Sequence, residues 1–271
     1  ASVGLRFQGG MDMARRAAAD SLVFAFSGAD LVGRADAPGQ MSTLEDLRGS
    51  GASFAYEPIF VGTLGGRPCF AAACGVVSPQ PAAGPGLRDW LARDEAVGLA
   101  AGRAWQLNHW CLDHAFCGRC GAPTEVSAQE LCRVCPSCGN RHYPRVTPAV
   151  IVRVERGYRI LLAHRKGVRS AVYSLLAGFV EPGENLEEAV AREVLEEVSI
   201  ELQEIHYAAS QPWPFPGQLM VGFAARSGAG DAVADGVELD DARWFGRGEL
   251  PDLPPPYTLS RRLIDQFAVG A

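Results

Sequence analysis

Residues 186–200 read Leu-Glu-Glu-Ala-Val-Ala-Arg-Glu-Val-Leu-Glu-Glu-Val-Ser-Ile, with Glu193, Glu196 and Glu197 at i, i+3 and i+4. In a helix that spacing sets three carboxylates on one face. Like charges so placed destabilise an isolated helix by roughly 0.2–0.5 kcal/mol per pair, and a helix C-terminus disfavours anions further. Arg192 is the only cation on this helix. The pattern therefore lacks a positive partner, and hard divalent cations such as Mg²⁺ take oxygen ligands of this kind. A solvated acidic face accounts for Glu187 and Glu188 at the helix start but poorly for the trio at its end. Val190, Val194, Leu195 and Val198 supply an apolar side, so the helix is expected to be anchored while its acidic face looks into a cleft.

A second group of ligating residues precedes it. Cys117-Gly-Arg-Cys120 and Cys135-Pro-Ser-Cys138 are separated by fourteen residues. Each Cys-x-x-Cys turn points two thiolates at one point, and two such turns complete the tetrahedron that zinc prefers. Gly121 and Gly139 suit such turns. Four cysteines leave no open position for substrate, so the expectation is one structural Zn²⁺ per chain that folds its segment. Cys132 could pair with Cys135, but Cys138 would then be left over. Two disulfides fit badly with a chain that shows no export signal. Cys69, Cys74 and Cys111 read as buried apolar residues.

The segment from Gly178 to Ile200 resembles the Nudix box, G-x5-E-x7-R-E-U-x-E-E-x-G-U with U a bulky aliphatic residue. Gly178, Glu184, Arg192, Glu193, Val194, Glu196, Glu197 and Ile200 fill eight of its nine defined positions, and Ser199 stands where the box has glycine. The resemblance implies a hydrolase of diphosphate bonds in nucleoside diphosphates linked to another group, built as an α/β/α sandwich and using Mg²⁺ or Mn²⁺. It implies Glu193 and Glu197 as metal ligands, Glu196 as the third carboxylate, and Arg192 as the residue that orients the box through Glu184. Divalent ions that neutralise a diphosphate and polarise one phosphorus suit that reaction.

Downstream lies Ser210-Gln211-Pro212-Trp213-Pro214-Phe215-Pro216-Gly217-Gln218. Alternating prolines hold such a stretch extended and present Trp213 and Phe215 for stacking on a nucleobase or nicotinamide ring, unless the rings simply pack inward. The run resembles the S-Q-P-W-P-F-P-x-S motif of the NADH pyrophosphatase branch of the Nudix family, with Gln218 in place of the closing serine. A four-cysteine zinc ribbon ahead of the Nudix domain belongs to the same branch. That resemblance covers residues 88–267 and implies cleavage of NADH or NAD⁺ to AMP and nicotinamide mononucleotide. It further implies homodimers and, for some bacterial members, removal of NAD caps from RNA. By position it carries over Glu238 as a further metal-binding glutamate and Ala177 as a backbone carbonyl that reaches a metal. It also carries over Arg88, Glu130, Tyr143, Gln211–Gln218 (with Pro212, Pro214, Pro216 and Gly217) and Ser260 as substrate contacts. Two other readings stand beside it: a broader Nudix hydrolase of ADP-ribose or dinucleoside polyphosphates, and an RNA-binding ribbon gripping phosphates through Arg119, Arg133, Arg141 and Arg145.

These residues need elements to position them. Residues 21–26, 54–64 and 68–77 read as strands and 43–47 as a helical turn. Residues 89–115 read as helical, with Gly98 and Gly102 lowering propensity enough to allow a break between two shorter helices. Residues 149–154 and 158–163 form an expected hairpin. A Gly-rich bend over 177–184 then leads into a helix over 186–198, strands near 202–210, 219–225 and 242–245, and a final helix over 258–269. The expected fold class is α/β: an N-terminal mixed α/β domain with a trailing helical segment (1–115), a zinc ribbon (116–145) and a Nudix sandwich (146–271).

Composition agrees. With 271 residues, 48% of them hydrophobic, the chain can bury more than one core, and disorder is excluded. A net charge of −6 argues against a protein that mainly coats nucleic acid. The longest uncharged run, residues 68–87, contains four prolines and would not make a membrane helix. The expected address is the cytoplasm.

Overall fold

Short apolar runs separated by turn residues give the first of two compact units. The computed structural model describes residues 6–27, 30–32, 41–74 and 86–270. The chain divides at Arg145/Val146. In the first unit, β1 (Phe7–Gly9), β2 (Leu22–Ser27), β3 (Asp30–Val32), β4 (Ser42–Thr43), β5 (Ile59–Leu64) and β6 (Arg67–Ala73) form one sheet, ordered β1-β5-β6-β2-β3 with β4 on β2. The short helix α1 (Leu44–Gly49) starts at a reciprocal cap between Thr43 and Asp46. Val23, Ala25, Leu44, Leu47, Phe60 and Phe70 lie in the core of this unit. The strand expected from residue 54 begins at Ile59, since Phe54 makes only an isolated bridge to Cys74. The strand expected over 68–77 ends at Ala73; positions 75–77 lie outside the described residues.

Helices α2 (Leu87–Arg93) and α3 (Glu95–Asp113) follow. The break falls at Asp94, whose carboxylate accepts the Val97 N–H at 3.0 Å and starts α3. Gly98 lies inside α3, where a Cβ would come within 2.7 Å of Leu91, so glycine there lets the two helices approach. The ribbon adds β7 (Glu125–Val126), β8 (Arg133–Val134) and β9 (Arg141–His142) as a three-stranded sheet.

The second unit comprises β10 (Thr147–Arg156), β11 (Arg159–Arg165), β12 (Leu176–Phe179), α4 (Leu186–Val198), β13 (Leu202–Trp213), β14 (Gln218–Ser227), β15 (Leu239–Gly246) and α5 (Leu259–Val269). Its sheet runs β13-β14-β10-β11-β15 with β12 on β10; β10 and β14 are parallel and the other pairs antiparallel. Strand alternation sorts the central residues to two faces. Val150, Val152 and Val154 pack with Ala189, Val190, Val194 and Val198 of α4, whereas Ile151 packs with Leu259, Leu263, Ile264 and Phe267 of α5. The result is the α/β/α sandwich the sequence implied. Strands β13 and β14 are longer than expected, so the proline-aromatic stretch closes their hairpin, with Pro212 opposite Leu219 and Trp213 opposite Gln218. An edge strand tolerates such a proline. Among the described residues no helix is long and apolar enough to cross a membrane.

Candidate active site

Helix α4 is fixed at both ends before any charge is considered. Asn185 accepts the Glu188 N–H at 2.8 Å and Glu188 accepts the Asn185 N–H at 2.9 Å, which gives Glu188 a capping role. At the other end Ser199 adopts a left-handed conformation, φ 57°, and its N–H donates to the Leu195 carbonyl. Arg192 gathers the approach loop onto the helix. It donates to both oxygens of Glu184 at 2.5 and 3.0 Å, to the Phe179 carbonyl at 2.9 Å, and to Glu193 and Glu196 at 2.9 and 3.0 Å. That guanidinium, with the Glu181 N–H, holds the Glu184 carboxyl down at about 2.

The acidic trio divides. Glu196 turns outward, its side chain 62% exposed. Glu193 turns inward over Gly178, where a Cβ would lie 1.8 Å from its carboxyl carbon, so only glycine permits that approach. Glu197 is buried, 8% exposed, and its Oε2 has no hydrogen-bond partner. Leu195, expected on the anchoring side, is instead half exposed.

Burial, followed by the charges of Glu193, Glu238 and Asp235, pushes the Glu197 carboxyl up to about 8, against the pull of Arg165. Burial also raises Glu193, and Arg192 opposes that shift. Glu197 borders a cavity of about 230 Å³ with Ala177, Glu238 and Arg165 among its lining residues. An orphaned buried carboxylate oxygen among further carboxylates and a main-chain strand edge fits a hard divalent cation. The carboxylates are less tightly gathered than the cysteines, the one group of possible metal ligands among the described residues with donor atoms all within 4.8 Å of one another.

In that group Cys117–Cys138 and Cys120–Cys135 are 3.7 and 3.5 Å apart at sulfur, near the roughly 3.8 Å expected for a tetrahedron of 2.3 Å Zn–S bonds. Gly121 and Gly139, at φ 75° and 73°, donate to the carbonyls of Cys117 and Cys135 and close the two knuckle turns. Cys132 is buried outside the set, as are Cys69, Cys74 and Cys111. In the ribbon Glu130 pairs with Arg141 and accepts the Tyr143 hydroxyl at 3.2 Å, so two of the expected substrate contacts touch each other. Arg88 lies in the first turn of α2. Arg133 corrects the basic-ribbon expectation. It is 8% exposed and its guanidinium is engaged by the Thr124 hydroxyl and the carbonyls of Thr124 and His114, so it is unavailable to phosphate.

The hairpin tip brings Trp213 and Phe215 edge to face at 5.2 Å. Tyr257 lies nearly parallel to Trp213, centroids 6.4 Å apart. Both rings of the motif are half-buried rather than splayed. Gln211 is buried with its amide committed: Nε2 donates to the Tyr257 carbonyl at 2.8 Å and Oε1 accepts the Leu259 N–H at 2.7 Å. Ser260 is likewise buried, bonded to the Ser174 hydroxyl at 2.8 Å and accepting the Leu175 N–H at 3.3 Å. These two side chains hold the entrance of α5. The sequence reading missed Arg165, Asp235 and Tyr257. The Asp235-Gly236 turn pair was a visible signal; Arg165 at a strand end and Tyr257 after three prolines carried none.

The family model of the NUDIX domain matches residues 143–267, and that of the NADH pyrophosphatase zinc ribbon domain matches residues 112–143. A relative from Stutzerimonas stutzeri described as NAD-capped RNA hydrolase NudC is 43% identical over 209 residues, covering 76% of each chain. One from Deinococcus radiodurans with the same description is 45% identical over 225 residues, covering 80% of this chain and 79% of that one. Among solved structures, a NUDIX hydrolase from Nitrosomonas europaea aligns with TM-score 0.45 and 25% identity, over 56% of this chain and 90% of that one.

Proposed function

The chain belongs to the Nudix hydrolase family, in the branch that carries an NADH pyrophosphatase zinc ribbon, and we propose that it hydrolyses the diphosphate of NAD(H) to AMP and nicotinamide mononucleotide. The same cut on an RNA 5′ end would remove an NAD cap, the activity named for its relatives. The observation that carries this reading is Glu197, a buried carboxylate with an unpartnered oxygen, in a box whose carboxylates are all in place.

Glu193, Glu197, Glu238 and the Ala177 carbonyl would hold Mg²⁺ or Mn²⁺, which supplies charge neutralisation and polarisation of the scissile phosphorus. Arg192 keeps Glu193 aimed and the approach loop closed on the helix through Glu184 and the Phe179 carbonyl. Water adds to one phosphorus, the bridging P–O bond breaks, and the proton released needs a carboxylate acceptor. Glu196 and, where it is not committed to the ion, Glu197 stand on the same helix for that task. Trp213 and Phe215, with Tyr257 beside them, offer π faces for a flat ring of the substrate. Arg88, Glu130, Tyr143 and the tip residues Pro214–Gln218 are further proposed contacts, whereas Gln211 and Ser260 act by holding α5. The three-part division at 115/116 and 145/146, a cytoplasmic address and a homodimer complete the proposal. Unpaired cysteines support the address, and family resemblance supports the dimer, which sedimentation would test.

The decisive experiment is mass spectrometry of products from NADH with Mn²⁺ or Mg²⁺, beside Glu197→Gln. AMP and reduced nicotinamide mononucleotide, lost in the variant, are expected. A folded, zinc-loaded protein that leaves NADH intact but cleaves ADP-ribose would replace this reading with the broader hydrolase. NAD-capped RNA is the second substrate to compare, because Arg119 and Arg145 remain exposed on the ribbon.

A further inference from the structure

Residues 228–238 form no strand or helix, yet they must carry a carboxylate toward two others. Glu238 lines the cavity with Glu197. These two carboxylates repel each other when both are ionised, as a cation would need them, so the loop is pushed away from the place where the cation would hold it.

Two side chains outside the box resist that push. Asp235 turns its carboxylate back onto the N–H groups of Val237, Glu238 and Leu239 at 3.1, 3.1 and 2.9 Å. Its own N–H donates to the carbonyl of Glu197 at 3.0 Å, which joins the loop to the last turn of α4. Lys166, the one lysine of the chain, works from the end of β11. Its N–H donates to the Glu238 carbonyl at 2.8 Å, and its Nζ donates to the Gly236 carbonyl. All these bonds end on backbone, so they fix the course of the loop and leave the Glu238 carboxylate free to ligate.

Resting on the reading above, we infer that Asp235 and Lys166 are positioning residues that preorganise Glu238 opposite Glu197 for the divalent cation. An untethered loop would relax from the repulsion and would have to be ordered again each time the cation binds, which weakens binding.

The test is Mn²⁺ titration of the full, zinc-loaded chain, with free Mn²⁺ read by electron paramagnetic resonance in the absence of substrate. Asp235→Ala and Lys166→Met should each weaken Mn²⁺ binding about tenfold, and Lys166→Arg should retain it within about twofold. In a Glu238→Gln background Asp235→Ala should add almost nothing, since its effect runs through Glu238. Parallel turnover of NADH should show the Mn²⁺ requirement raised about tenfold with kcat at saturating metal nearly kept. Unchanged Mn²⁺ affinity in both variants would overturn the inference. So would an Asp235→Ala effect that persists at full size in the Glu238→Gln background. Lys166→Met carries the test if Asp235→Ala does not fold. Because binding is read without substrate, failure to cleave NADH would sink only the substrate assignment.

Discussion

Glu197 holds the largest uncompensated electrostatic stress at the site, and its sign can be worked out. The folded chain binds that proton up to about pH 8, whereas an ordinary carboxyl releases it near 4.5. Across that interval the folded state holds this proton and the unfolded one does not, so the contribution of Glu197 to stability is fullest below about pH 4.5 and is lost as pH rises to 8. At about 1.4 kcal/mol per pH unit the loss reaches a few kcal/mol, and the raised Glu193 adds in the same direction. Thermal unfolding of the zinc-loaded protein without Mg²⁺ or Mn²⁺, from pH 5 to 8.5, should show this decline. Glu197→Gln should flatten it and raise Tm at pH 8, and added Mn²⁺ should stabilise the native chain far more than the variant. Equal pH slopes in the two proteins would mean that the charge is already compensated. Arg192→Lys tests the neighbouring clamp. Lysine cannot make the bidentate bond to Glu184 while reaching Phe179, so turnover should fall at least tenfold with Glu197 intact.

At the scale of the element, α4 shows what local sequence can and cannot specify. Its limits and its anchoring valines follow from signals within one stretch of chain, and the structure has them where the spacing put them. The division of the trio was not legible, because the cavity that buries Glu197 is closed by β11, β12 and the loop before β15. The same holds for the helix break at Asp94: glycine propensity pointed to Gly98 and Gly102, which both lie inside α3, and the close approach of Leu91 is what requires glycine at 98. Proline spacing likewise described an extended stretch but not the strand pairing that turns Trp213 and Phe215 toward each other. Two substitutions separate local from tertiary effects. Ser199→Gly removes a side chain from a left-handed cap and should stabilise the chain by about 1 kcal/mol, roughly 2–4 °C in Tm, with activity unchanged. Gly178→Ala should do the opposite, because its methyl group would occupy the position of the Glu193 carboxyl carbon: stability nearly kept, activity down about a hundredfold or more. A Gly178→Ala protein with native turnover would show that Glu193 can work from elsewhere.

For the whole molecule, the two units differ in what holds them. The second has apolar clusters on both faces of its sheet, with Val150, Val152 and Phe223 on one side and Ile151, Leu162 and Leu263 on the other. The ribbon within the first unit has three two-residue strands, and among its most buried side chains are Cys117, Cys132 and Cys135. So small an apolar interior cannot offset the entropy of ordering some thirty residues, at roughly 1–2 kcal/mol each for the backbone alone. The four sulfurs, already gathered within 4.8 Å, carry no hydrophobic reason to converge, and a bound zinc would turn that convergence from a cost into the main stabilising contact. A thiol-displacing mercurial should therefore release one zinc per chain. Hydrogen exchange of residues 116–142 should then rise to nearly unprotected rates, while β10 and β14 keep their protection. Were the ribbon to remain protected after zinc loss, its fold would rest on contacts such as those of buried Arg133, and the cysteines would have to be explained by something other than folding.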